Sequence, residues 1–232
     1  MAYYFKNALS NVARNANFRI CEEGKESILA LPDWGRPFDP EKNGRLVPNW
    51  VQQEDRLPLR DSLSISMRMM VVTRKVVDII ETFEPGVHEF LPLEIRDRAG
   101  HTFDVSYFIV NPQQAFCALM INGLRPRDVK WKFSNVYGPM PAMCRIKRFR
   151  MAPLSRPRIA GRHLWRSEVI EPGEIFLSNE LGDAIRNGAD VDWTLEPREE
   201  LDREWVASEQ VQPFLDRQAA FPANLRTNIL SE

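Results

Sequence analysis

The sequence predicts an α+β fold: a mixed or antiparallel sheet with short amphipathic helices packed on it. Three observations carry this expectation. Several stretches of strand length alternate apolar and polar residues, two short segments repeat their apolar residues at helical spacing, and each helical segment is flanked by strand-like runs. The result is two strand–helix–strand units, at about residues 71–95 and 175–195.

In the first unit Val71-Val72-Thr73 precedes Val76, Ile79, Ile80 and Phe83, spaced i, i+3, i+4, i+7. The second runs Phe176-Leu177-Ser178, then Leu181, Ala184 and Ile185. Thr73 and Ser178 are read as helix N-caps, whose side-chain oxygen accepts from an orphan backbone N–H for about 1 kcal/mol. Glu180 adds negative charge to the second helix's first turn, where the dipole favours it. The first helix has Arg74 and Lys75 there, so packing rather than capping must hold it. Pro85-Gly86 stops the first helix, and Gly188 is read as the left-handed exit of the second. Helices of two or three turns are marginal alone in water, so each must lay its apolar stripe on a sheet. Strands resume at 87–95 and 191–195.

Elsewhere, residues 63–72 read as one strand, with Leu63, Ile65, Met67, Met69 and Val71 on one face. Residues 102–110 read as another, with Phe103, Val105 and Tyr107 on a shared face before the Asn111-Pro112 turn. Residues 128–133 and 143–151 also alternate. Residues 31–50 hold four prolines and two glycines, which forbid a long helix, yet carry Trp34, Phe38 and Trp50. An ordered loop packing its rings on the body fits that composition. Residues 152–161 read as an extended connection, Pro172-Gly173 as a type II turn, and 198–211 as a helix turning Leu201 and Trp205 inward. The organisation expected is one α+β domain over 1–197 with an internal pseudo-repeat, then a helical or loop extension over 198–232.

Bulk properties narrow the function classes. The chain has 232 residues and net charge −1, with 44% hydrophobic and 27% charged residues, ordinary for a globular protein. Such a length buries roughly 70% of its unfolded surface. Cys21, Cys117 and Cys144 are few, odd in number and widely spaced, which points to a reducing compartment. The first residues lack the apolar run of a signal peptide, and no stretch approaches the ~20 apolar residues of a bilayer span. A cytoplasmic location without membrane contact is expected.

Chemistry-bearing motifs are scarce. His88 sits on a strand, His101 at a hairpin tip and His163 before Leu164, none in metal-ligand or triad spacing. No phosphate-cradling glycine loop or nucleophile elbow appears. No cofactor, metal site or catalytic set is expected. Charge layout says more. Arg145, Lys147, Arg148, Arg150, Arg156, Arg158, Arg162 and Arg166 follow one another with no acid between them. Glu196, Glu199, Glu200, Asp202, Glu204, Glu209 and Asp216 stand against only Arg198 and Arg203. The basic run, with Phe149 and Trp165, reads as a phosphate-binding strip of a nucleic-acid-associated module. The acidic run reads as a landing surface for a basic protein, with Glu196, Glu199, Glu200, Asp202, Glu204 and Trp205 as contact residues. Alternatively the two runs face each other or solvate outward surfaces.

The order of these pieces resembles a bacterial immunity-protein family of polymorphic toxin systems. The residues that carry the resemblance are 71–95, with the Phe90-Leu91-Pro92 strand after the capped helix, then 106–112, then 163–193 with Trp165-Arg166 ahead of the Leu177-Ser178-Asn179-Glu180-Leu181 helix start. The resemblance spans about residues 30–197. It implies a non-enzymatic protein that binds a cognate secreted toxin and silences it by occlusion. A basic, nuclease-like toxin would suit the acidic run.

Overall fold

The computed structural model describes residues 2–6, 18–19, 37–38, 47–63, 65, 70–120, 129–132, 143–146, 152–167 and 175–204. The chain divides into two compact units, one of residues 1–115, 162–166 and 172–197, the other of 116–161, 167–171 and 198–232. The architecture is α+β, mostly sheet, with a few short helices.

Two sheets build the first unit. The larger has six strands: β2 (Phe18–Arg19), β3 (Trp50–Gln53), β4 (Ser62–Leu63), β5 (Met70–Thr73), β6 (Glu89–Arg96) and β7 (Tyr107–Asn111), in the order β2-β3-β6-β7-β5-β4. The smaller joins β1 (Ala2–Lys6), β11 (Leu164–Arg166), β12 (Ile175–Ser178) and β13 (Thr194–Arg198) in the order β11-β12-β1-β13. Helix α1 (Arg74–Phe83) follows β5 directly, and α3 (Asn179–Gly188) follows β12.

The predicted units are therefore real, and they share a layout. Both β5 and β6 run antiparallel to β7, which lies between them, so β5 and β6 are parallel and α1 connects them across an inserted strand. In the same way β12-α3-β13 straddles β1, which pairs antiparallel with β12. The inserted strand comes from downstream in one unit and from the start of the chain in the other.

Period-two alternation sorts the larger sheet's side chains onto two faces. Met70, Val72 and Val110 meet Val76, Val77 and Ile80 of α1, Leu181 and Ile185 of α3, and Phe5, Leu164, Ile175 and Leu177 of the smaller sheet. The opposite face carries Val51, Leu63, Val71, Leu93, Ile95, Tyr107 and Ile109, with Phe18, Phe38 and Leu59 packed on it. Both helices thus lie in the core between the sheets. Gly182 marks where β1 runs closest to α3: a Cβ there would lie 2.6 Å from the Tyr3 ring. Tyr3 also donates its hydroxyl to Asp183 (3.1 Å), and the Arg186 guanidinium lies over its ring.

Several local expectations are corrected. Residues 63–72 are not one strand. Ser62 and Leu63 pair antiparallel with Val72 and Val71, so the chain reverses between them. Alternation survived the reversal because Leu63, Ile65 and Val71 still share a face, whereas Met67 and Met69 lie outside the described residues. The 102–110 strand starts only at Tyr107, and Val105 is 47% exposed, since residues 103–106 leave the ladder after Thr102 bridges Arg96. Thr73 makes no cap bond. Gly188 is the last helical residue of α3, not a left-handed exit, and its bare Cα faces Ile79 of α1. Gly86 does take positive φ after α1, at 68°. Trp34 and Pro172-Gly173 lie outside the described residues.

The second unit contains β8 (Val129–Lys132) paired antiparallel with β9 (Met143–Ile146), and β10 (Leu154–Ser155) paired in parallel with β14 (Glu200–Leu201). Residues 152–161 are not simply extended. Ser155 accepts from Arg158 N, and Pro157 stands in the first turn of a short helix, α2 (Arg156–Ile159). The helix expected from residue 198 does not begin there, because Glu200 and Leu201 are drawn into β14 beside Leu154 and Ser155. Phe116, Cys117, Ala118, Leu119, Leu154 and Ile159 are buried. Among the described residues, no helix is long and apolar enough to cross a membrane.

Candidate functional site

Histidines and carboxylates were the natural place to seek chemistry, and the structure puts two of the three histidines around one buried acid. Glu84 caps the end of α1, and its side chain is 5% exposed. Its Oε1 accepts from Gln114 Nε2 (2.8 Å) and the His163 backbone N–H (2.8 Å). Its Oε2 accepts from the Leu164 N–H (2.9 Å) and lies 2.6 Å from His88 Nε2. His163 Nδ1 in turn sits 2.8 Å from the hydroxyl of Ser178, which caps α3 by accepting from Leu181 N. Burial alone would raise the Glu84 pKa. The His88 hydrogen bond and the His163 amide outweigh it and hold the carboxyl below its ordinary value.

The pair is buried: the His88 side chain is 0% exposed and that of Glu84 5%. The hydrogen bonds of Glu84 reach three segments of the first unit. They tie the end of α1 to β11 and to the start of α3.

Asp61 does the equivalent at the other end of the helix pair. It takes the Thr73 hydroxyl (2.8 Å) and the Asp190 backbone N–H (2.9 Å), with Lys75 Nζ at 3.6 Å. Asp61 N also donates to Asp190 O at 3.0 Å. Burial would raise its pKa too, but the Asp190 amide and the Thr73 hydroxyl lower it. Since α1 begins beside Asp190, two residues past the end of α3, and ends beside the start of α3, the two helices run antiparallel. His101, by contrast, is exposed at the tip of the turn after β6, as the sequence predicts. Among the described residues, no cluster of three or more His, Cys, Asp or Glu side chains converges to hold a metal.

The sequence-predicted contact residues divide. Glu196 lies in β13 of the first unit and is partly exposed. In the second unit Glu199, Asp202 and Glu204 are exposed, while Glu200 turns its carboxylate to Arg156 Nε (3.3 Å) and is 8% exposed. Trp205 lies outside the described residues. In the basic run, Arg156 faces Glu200 and Asp202, and Arg158 lies over the Phe116 ring at 5.7 Å. Arg166 is 2% exposed and so does not belong to an outward strip. The side chains of Arg145, Lys147, Arg148 and Arg150 fall outside the described residues. The acidic and basic runs thus meet in part, at Arg156.

A different surface was not anticipated. Among the described residues, the helices pack on the larger sheet over β5, β7 and the start of β6 rather than over β3 and the far half of β6. There Arg96 lies over the Trp50 ring at 4.2 Å, and its Nε donates to Glu94, which also accepts from Thr102 (2.9 Å). These hydrogen bonds, Arg96 first, hold the Glu94 carboxyl below its ordinary value. Pro92 and Phe108 pair across β6 and β7 on the same face, and Arg74 lies over Phe108 at 6.0 Å with its Nε bonded to Asp78 (2.8 Å). Each guanidinium is thus laid on an aromatic ring and pinned by one acid. The sequence signal existed: Glu94 and Arg96 are two apart on a strand, hence on one face. The aromatic partners could be assigned only with the sheet order known.

Residues 18–119 match the Imm11 immunity protein family. The Imm11 match begins at β2 and ends just past β7, so it takes in the larger sheet, α1, Glu84 and both arginine–aromatic pairs, and leaves β1, β11, β12, α3 and β13 outside. It agrees with the sequence resemblance over residues 30–119. No curated protein matches the chain.

Proposed function

We propose that this protein confers immunity by binding a cognate bacterial toxin and covering its active site or substrate groove. The observation that carries this reading is the Imm11 match across the entire six-stranded sheet. The geometry supports it: the candidate acid–base pair Glu84–His88 is buried and spent on joining two sheets around a helix pair. Such a frame holds a surface rigid, and occlusion needs a rigid surface of about 1,600 Å² in total. Glu199, Asp202 and Glu204 of the second unit are proposed as a contact that steers a basic toxin, since exposed charge acts mainly on encounter rate. Glu200 contributes less, being turned to Arg156.

The test is co-expression with the product of the adjacent open reading frame, taken as the cognate toxin. Protection of the cells and recovery of a stoichiometric complex are expected. Cells that die despite soluble protein, together with no complex in a pull-down, would sink the reading.

A further inference from the structure

We propose that the part of the larger sheet's helix-side face formed by β3 and the far half of β6, with Phe108 beside it, is an anchoring surface for that toxin, and that Arg96 and Arg74 each receive a carboxylate from it. The inference rests on the immunity reading and names the short-range contact within it.

A guanidinium carries five N–H donors, of which Nε supplies one. In both arginines Nε is committed to a neighbouring acid, Glu94 or Asp78, and the guanidinium carbon lies over an aromatic ring, at 4.2 Å for Arg96 and 6.0 Å for Arg74. Among the described residues, no acceptor meets the terminal amino groups of either. Those groups form the fork that matches a carboxylate's two oxygens. A partner's carboxylate would find each fork already oriented and partly desolvated by the ring, so little side-chain entropy remains to be lost on binding.

The setting fits a protein partner. Trp50 and Phe108 are separated by β6 alone, on the order of 10 Å at ordinary strand spacing. Exposed Pro92 lies between them, with Arg74 and Arg96 at either side. Trp, Phe and Arg are the residue types enriched at the anchoring centre of interfaces. Each arginine carries an acid beside it, so the patch has alternating sign. A phosphate backbone would meet Glu94 and Asp78 along with the arginines, whereas a protein surface can set a carboxylate on each fork and a donor beside each acid. Folding alone gives weak reason for the arrangement, because exposed ion pairs contribute about 0–1 kcal/mol.

The test is titration calorimetry of the full chain against the toxin that it protects cells from in the co-expression test, using wild type, Trp50→Ala, Arg96→Ala, Arg96→Lys, Arg96→Glu and Arg74→Ala, with folding checked by circular dichroism. Loss of affinity by at least about ten-fold is expected for Trp50→Ala and Arg96→Ala. Arg96→Lys should not restore it, and Arg96→Glu should weaken binding further. Should Trp50→Ala fold poorly, the Arg96 series decides. Wild-type complex formation with unchanged affinity across the folded variants would overturn the inference and leave the immunity reading standing. Absence of any wild-type complex would overturn both. Self-association of the free chain, or nucleic-acid binding, that these variants abolish while toxin affinity is unchanged would give the face to another occupant and also overturn it.

Discussion

His88 donates its Nε2 proton to Glu84 across 2.6 Å, because its Nδ1 is turned to the Gln113 amide N–H at 3.3 Å and must stay bare to accept it. The ring is therefore neutral in one tautomer, and Glu84 is the charged member of the pair. Removing the carboxylate leaves the His88 ring, the His163 and Leu164 amides and the Gln114 side chain without their acceptor. Glu84→Ala should cost about 3–5 kcal/mol and Glu84→Gln somewhat less, since a buried unmet donor costs about 1–3 kcal/mol and the losses overlap. Urea unfolding measures the loss. Native-state hydrogen exchange should show the His163 and Leu164 amides opening first.

The same carboxylate gives the fold an acid limit. Glu84 sits below its ordinary value of 4.5 in the folded chain, and Asp61 below 3.8. Each binds its proton more readily in the unfolded chain. Their contribution is complete above those ordinary values and is lost as pH falls through the lower folded values. Stability should be level near neutrality with respect to these two groups and should decline below about pH 4.5, with proton uptake on unfolding. In Glu84→Gln the decline should be shallower. An unchanged slope in that variant would show that Glu84 is not the group responsible.

What the sequence revealed and what it hid follow from how far each interaction reaches along the chain. The two strand–helix–strand units were legible because stripe, cap and exit lie within twenty residues. Glu84 was not, since its acceptors' partners stand 4, 30, 79 and 80 positions away, and between Phe83 and Pro85 it reads as an ordinary turn acid. Thr73 was misread for the same reason: locally it is a good cap, but a carboxylate twelve residues upstream takes its hydroxyl. Trp50 was expected in a packed loop and proved to be a strand residue under Arg96, a pairing set by sheet order alone.

That misreading makes a sharp test. Cap preference alone recommends Asp at position 73, where it would also favour the helix dipole. In the fold, Thr73→Asp would put a carboxylate beside Asp61 in place of the hydroxyl that donates to it at 2.8 Å. Destabilisation of about 1–3 kcal/mol is expected where the cap rule gives a gain. The paired change Thr73→Asp with Asp61→Asn should recover part of it, read by thermal unfolding. Ser178→Ala, whose hydroxyl does cap its helix, should cost about 1 kcal/mol without any such rescue.

The two glycines of α3 should respond oppositely to alanine, although helix propensity favours the change at both by up to about 1 kcal/mol. At Gly182 the new Cβ would meet the Tyr3 ring at 2.6 Å and Leu195 at 3.1 Å. Tyr3 cannot simply swing away. Its backbone is in the β1–β12 ladder, and its hydroxyl is bonded to Asp183 and Arg186. Gly182→Ala must therefore push β1 from the helix, and overpacking of this kind costs about 1–3 kcal/mol, which exceeds the propensity gain. At Gly188 the new Cβ meets only the tip of Ile79, at 3.0 Å, and that methyl can rotate aside. Gly188→Ala should thus lie within about 0.5 kcal/mol of wild type, or slightly above it, because the position is helical with no positive φ to lose. Chemical denaturation of the two variants side by side decides it: equal losses would mean that α3 is not seated on β1 as closely as the Tyr3 contact requires.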